Sequence, residues 1–130
     1  DMLDMAAHID NPIYEAGALM NLGKLAIAEE DYDTALEHFV HVEHLSAAHH
    51  HPAIEASAKL WIAMIHNTMY EHDEALEYLN KARQIYISLE DDAAARRVLR
   101  EVVVTSVLLV VDKVLRLVGV HRKSKYDTEE

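Results

Sequence analysis

The sequence repeats itself at a fixed offset, the interval from Pro12 to Pro52, and this self-similarity limits the possible folds more than any other feature. Eight residues of 11–50 recur at this offset, in the pairs Pro12/Pro52, Glu15/Glu55, Ala16/Ala56, Ala18/Ala58, Asp33/Asp73, Ala35/Ala75, Leu36/Leu76 and Glu37/Glu77. A repeat of this length is one supersecondary unit that needs neighbours to bury its apolar side. We therefore expect a single repeat domain over residues 1–120, with repeats at 12–50 and 52–90.

Each repeat predicts two helices. Asn11-Pro12 and His51-Pro52 each supply an N-terminal cap followed by a proline at the first helical position. Apolar residues then recur at helical spacing to about Ala28 and Met69. After acidic breaks come the second helices, whose apolar stripes are Ala35, Phe39, Val42 and Leu45, then Ala75, Leu79, Ala82, Tyr86 and Leu89.

A longer terminal helix is expected over residues 92–119, because no glycine or proline interrupts the chain before Gly119. A strand over Val102–Val111 is the competing interpretation. The helix-forming residues before this stretch and the helical spacing after it favour the helix. Residues 2–9 predict a short apolar helix, and residues 121–130 a charged tail.

Two stretches of the sequence resemble a tetratricopeptide repeat. The resemblance depends on Leu22, Gly23, Tyr32, Ala35 and Phe39 in the first copy, and more weakly on Ile62, Ala63, His72, Ala75 and Leu79 in the second. The length of the period is similar to that of the long-repeat type found in kinesin light chains and Rap-type regulators. The resemblance implies an all-α fold, a tetratricopeptide-like α-α superhelix of two helical hairpins plus a long C-terminal helix.

The resemblance also implies protein interaction, because arrays of this family bind peptides or helices in a concave groove lined by their first helices. Matching to the repeat places these groove residues in this chain: Met20, Lys24, Ile27, Leu60, Met64, Asn67, Arg97, Arg100 and Val104. The expected function is an adaptor or scaffold for an apolar or amphipathic segment, to which methionines adapt well. The alternative is that these residues pack against the last helix or another segment.

Charge is distributed unevenly along the chain. Residues 1–95 contain 18 acidic and 4 basic residues, whereas residues 96–125 contain 8 basic and 2 acidic ones. The net charge of −11 argues against nucleic acid as a partner. A basic, apolar terminal helix can bind its own body, another copy or, as the last choice, an anionic membrane.

The terminal helix carries more apolar surface than one hairpin can cover. We therefore expect a homo-oligomer whose contact buries Val107, Leu108, Val111 and Leu115. A structural unit that self-assembles through this helix is the alternative function.

The remaining chemistry argues for binding and against catalysis. Six of the ten histidines lie between residues 38 and 51, where a solvated face is favoured over a metal site, and the chain has no cysteine. We expect no metal and no cofactor. No nucleophile elbow, phosphate loop or His-Glu-x-x-His motif occurs, so an enzyme is not expected. A cytoplasmic location is expected, because Asp1 and Asp4 stand where a secretory signal would be basic and no apolar run is long enough to span a bilayer.

Overall fold

A computed structural model describes residues 11–119 of the chain. These residues form five helices, α1 (Pro12–Ala28), α2 (Tyr32–Ala48), α3 (Pro52–Thr68), α4 (His72–Ser88) and α5 (Asp92–Leu117), and the described part contains no strand. The predicted all-α fold, two helical hairpins followed by a long helix, is confirmed, and Val102–Val111 is helical. The short helix expected at residues 2–9 and the tail at 121–130 lie outside the described residues.

The helices are more regular in length and spacing than the comparison of the two sequence repeats indicated. Each of the first four has 17 residues, and the starts of all five are evenly spaced along the chain. The residues between them that adopt positive φ, at 57–60°, are Glu30, His50, Tyr70 and Glu90. None of the four is a glycine, although glycine favours this conformation most.

All four turns close with the same pair of backbone hydrogen bonds. In the first, the Asp31 N–H donates to the Ala26 carbonyl at 2.8 Å, and the Glu30 N–H donates to the Ile27 carbonyl at 2.9 Å. This is the Schellman motif, which satisfies carbonyls that a helix end would otherwise leave unpaired. A turn of fixed shape that recurs at this even spacing sets the repeating helix–turn–helix pattern.

Side-chain caps stabilise the N-terminal ends of several helices, and the cap of α1 is the one that the sequence predicted at Asn11-Pro12. The Asn11 Oδ1 atom accepts from the Ile13 N–H at 3.0 Å, with Pro12 as the first helical residue. Asp31 and Asp91 cap α2 and α5 through side-chain oxygens 3.2 and 3.1 Å from the backbone N–H groups that they accept from. Such caps satisfy backbone donors that have no partner within the helix.

The chain divides into two compact units, of which the first ends at Ile62 and the second begins at Ala63. In the first unit α1 packs against α2, and Leu19, Val42 and Ala58 belong to a buried cluster that includes α3. Phe39 is fully buried there and stacks on Trp61, with 5.6 Å between ring centroids. Gly23 lets the Phe39 ring approach α1, because a Cβ at this position would lie 2.6 Å from a ring carbon.

The second unit is built on α4 and α5, which pack against each other. Four residues of the stripe predicted for α4 are buried in this unit: Ala75, Leu79, Ala82 and Tyr86. The fifth, Leu89, follows the last helical residue and is exposed, because the helix ends before it. The buried residues of α5 are Ala94, Ala95, Val98, Thr105 and Asp112.

Candidate functional site

The candidate functional site is an apolar depression in the first unit, between α1 and α3. Its volume is about 320 Å³, and its lining residues are Ile13, Ala16, Gly17, Met20, Ala53, Ile54 and Ser57. None of these lining side chains is charged, and Ser57 is the one with a polar group. The depression can therefore accept an apolar group and offers no charge to an ionic ligand.

Small residues keep this depression open. Gly17, Ala53 and Ser57 contribute little volume, and a Cβ added at Gly17 would meet no heavy atom within 4 Å. α1 and α3 are the first helices of the two repeats, which is the position that the family resemblance assigns to a binding groove. Gly17 and Ser57 occupy equivalent positions in the two repeats.

The predicted groove residues of the first unit differ in their surroundings. Met20 is half-buried and lines the depression. Lys24 is exposed and holds its ammonium nitrogen 5.4 Å from the centre of the Trp61 ring, close enough for a cation–π interaction. Ile27 and Leu60 are half-buried and do not line the depression. Met20 is thus the predicted residue that belongs to the site.

The predicted groove residues of the second unit include one that is engaged in internal hydrogen bonds. Asn67 donates from Nδ2 to the Thr105 hydroxyl at 2.9 Å, and its Oδ1 lies 2.7 Å from the Nδ1 atom of His72. Both ends of this amide therefore serve the fold. The other four residues of the prediction in this unit are exposed: Met64, Arg97, Arg100 and Val104.

Arg97 is close enough to Tyr86 to affect its titration. Burial raises the pKa of the Tyr86 hydroxyl, and the charge of Arg97 lowers it by a smaller amount. The negative charge of Asp91 acts in the same direction as burial, so the pKa of Tyr86 lies above its ordinary value.

The hydrogen bonds of Asn67 belong to a longer polar chain that the sequence analysis missed. The His72 ring is buried, and its Nε2 atom lies 3.2 Å from the Asp112 Oδ2 atom. Contacts therefore connect the end of α3, the start of α4 and the second half of α5, through Asn67, His72, Thr105 and Asp112. A buried polar chain of this kind favours one register between the helices that it joins.

A second buried polar cluster lies in the first unit, at Lys59. The ammonium nitrogen of Lys59 contacts the carboxylate of Glu43 and lies 3.2 Å from that of Glu55. Burial lowers the pKa of Lys59, but the hydrogen bonds and charges of the two carboxylates outweigh this effect, so the pKa is raised. Lys59 stays protonated at neutral pH, and its charge is neutralised within the fold.

The residues predicted for self-association lie on two sides of α5. Val107 and Val111 are exposed, whereas Leu108 and Leu115 are half-buried. The exposed face is centred instead on six valines, here called the outer valine face: Val103, Val104, Val107, Val110, Val111 and Val114. Their exposed fractions run from 36% to 60%.

The histidines form no metal site in the described part of the chain. No group of three His, Asp or Glu side chains in residues 11–119 is arranged to hold a metal ion. His41 lies 3.9 Å from a carboxylate oxygen of Glu15, and the Nδ1 atom of His66 lies 3.0 Å from one of Glu71. The His66 ring also stacks on Tyr78, so this residue has partners within its own unit.

None of the described helices combines the length and the hydropathy that crossing a bilayer requires.

Sequence reasoning found one residue of the depression, Met20, and missed the others. The signal for them was present in the comparison of the two repeats, because equivalent positions carry small side chains at Gly17 and Ser57. Two helices that face each other with small residues leave space between them.

Comparison with known proteins adds no relative to this description. No protein-family model matches the chain, and neither the curated proteins nor the solved structures provide a match.

Proposed function

We propose that the chain is a tetratricopeptide-like protein-interaction module, an adaptor that binds an apolar or amphipathic helical segment. The observation that carries this proposal is the apolar depression between α1 and α3. It lies between the first helices of consecutive repeats, where the family resemblance places a peptide groove. The function is binding without catalysis, in the cytoplasm.

The regularity of the fold supports this proposal. Helices of equal length, identical turns and the close contact between Gly23 and Phe39 are typical of an array that presents equivalent positions side by side. In such an array the first helices share one surface, and side chains from both line the depression.

The chemistry of the lining defines the kind of partner. A volume of about 320 Å³ accepts one or two large apolar side chains and is too small for a whole helix. A helical partner would insert apolar residues spaced by three or four positions, with the rest of the helix outside. The uncharged lining offers no cationic side chain to a C-terminal carboxylate, which supports an apolar partner.

The experiment measures binding of a fluorescent synthetic helix with leucines at positions i, i+3, i+4 and i+7. Gly17→Leu adds an apolar side chain to the lining at a position where a Cβ meets no heavy atom within 4 Å, and Ile13→Asp places a charge at the edge of the depression, where Ile13 is already half exposed. Each change should weaken binding by about tenfold or more. Tyr14→Asp is the matched control, since Tyr14 is exposed beside Ile13 but does not line the depression.

Circular dichroism should show unchanged helicity in all three variants. Equal affinities of the wild type, Gly17→Leu and Ile13→Asp would refute the proposal, as would an equal loss in the Tyr14→Asp control.

A further inference from the structure

The outer valine face of α5 is a second apolar surface, separate from the depression between α1 and α3. It consists of exposed valines in the central part of α5, and no charged residue lies between Glu101 and Asp112. An apolar patch of this kind on a protein surface marks an interaction site.

α5 is oriented so that polar side chains are buried while the valines of the outer valine face are exposed. Two of the residues that α5 turns inward are polar: Thr105 is 0% exposed and Asp112 is 7% exposed. Thr105 accepts a hydrogen bond from Asn67, and Asp112 lies 3.2 Å from the His72 ring, so both contacts favour this orientation. Rotating the valines inward would break these polar contacts, so within the described residues α5 cannot bury this face by turning about its own axis.

The surface of α5 has a shape that suits a second helix. A shallow groove runs between two rows of side chains, Val102, Ser106 and Val110 on one side and Val103, Val107 and Val111 on the other. Rows of residues four positions apart pack into the corresponding grooves of a partner helix at about −50°, the commonest packing in globular proteins. Ser106 brings little volume, and its hydroxyl already donates to the Val102 carbonyl at 2.8 Å. No unpaired hydroxyl would therefore be buried.

We propose that the occupant of this face is a second copy of the chain, related by a two-fold axis near Ser106 and Val107. The two rows of α5 supply both the ridge and the groove, so the surface is complementary to itself. Two helices that cross at this angle meet along the uncharged stretch only, and their basic ends diverge.

Charge complementarity also supports a second copy. Residues 11–95 contain fifteen acidic and four basic residues, whereas residues 96–119 contain five basic and two acidic ones. The two copies thus carry segments of opposite charge, and attraction between the basic helix of one and acidic residues of the other favours their association. This inference goes beyond the proposed adaptor function, which uses another surface.

The experiment is analytical ultracentrifugation of the full chain at micromolar concentration. We expect the wild type to sediment at twice the monomer mass of 14.8 kDa. Val107→Glu and Val110→Glu should each give a folded monomer, because both valines are already exposed. Ile87→Glu is the matched control, a comparably exposed apolar residue on α4, and should remain dimeric.

A cysteine variant tests where the axis lies. The chain has no cysteine, so Ser106→Cys introduces a single reporter that should form an intermolecular disulfide on oxidation. Glu77→Cys, exposed on α4, should not do so. A wild-type monomer, an oligomer larger than a dimer, or a dimer that survives Val107→Glu would each overturn the proposal. A monomer that still binds the leucine peptide would overturn the dimer and leave the adaptor function standing.

Discussion

Two glycines of the same helix occupy opposite environments. A Cβ at Gly23 would lie 2.6 Å from the Phe39 ring, which is buried and stacked on Trp61 and therefore cannot move aside easily. A Cβ at Gly17 would meet open space. Helix propensity favours alanine over glycine equally at both positions, so the difference between them comes from packing.

We expect Gly17→Ala to increase the free energy of unfolding by about 1 kcal/mol, which is the gain in helix propensity. Gly23→Ala should decrease it by about 1–3 kcal/mol, because overpacking against Phe39 exceeds that gain. Urea unfolding followed by circular dichroism measures both values. If both variants were more stable than the wild type, the explanation that Gly23 is required by close packing of α1 against Phe39 would be wrong.

At the level of the element, α5 shows where sequence reasoning stops. The sequence predicts that this segment is helical, since no glycine or proline interrupts it. It also predicts more apolar surface than one hairpin can cover, since valines lie on most sides of the helix. The face that α5 turns toward its own unit was not predictable, because a helix that is apolar on nearly every side shows no periodic alternation of apolar and polar residues. Leu108 and Leu115 were therefore expected in the exposed contact, and the structure places them half-buried.

The turns and the depression illustrate the same limit. Caps such as Asn11-Pro12 are local, so the sequence reveals them directly. Positive φ at Glu30, His50, Tyr70 and Glu90 carries no glycine signature, and it belongs to the Schellman turn that closes each of the first four helices. The depression forms where small residues of α1 lie opposite small residues of α3, so it cannot be predicted from the sequence of either helix by itself.

The orientation of α5 depends on the buried pair His72 and Asp112, and this dependence can be measured. Removing one member takes a polar contact away from a buried partner, so Asp112→Leu and His72→Leu should each cost about 3 kcal/mol of unfolding free energy. The double variant should cost less than the sum, because both single variants lose the same contact between the two side chains, whereas Asn67 loses its contact with His72 only where the ring is removed. Glu101→Leu, exposed on the same helix, should change stability by less than about 0.5 kcal/mol.

A double-mutant cycle from urea unfolding gives the coupling energy of the pair. Additive costs would show that His72 and Asp112 act independently, and would remove this explanation for the rotation of α5.

At the level of the whole molecule, the two units share one helix. The boundary between Ile62 and Ala63 lies inside α3, so melting of this helix affects both units. In an array stabilised by nearest-neighbour contacts, a short chain with an intact shared helix unfolds as one cooperative unit. Trp61 is the single tryptophan and stacks on Phe39, so its fluorescence reports on the first unit, in which both rings lie.

We expect tryptophan fluorescence and far-ultraviolet circular dichroism to give coincident urea transitions in the wild type. Met64→Pro should separate them, because a proline inside α3 removes a backbone hydrogen bond at the unit boundary and costs about 3 kcal/mol or more. Met64→Ala, which removes the same exposed side chain and keeps the helix, should leave the two curves coincident. Separate transitions already present in the wild type would show that α3 does not couple the units. Coincident curves in Met64→Pro would place the coupling outside this helix.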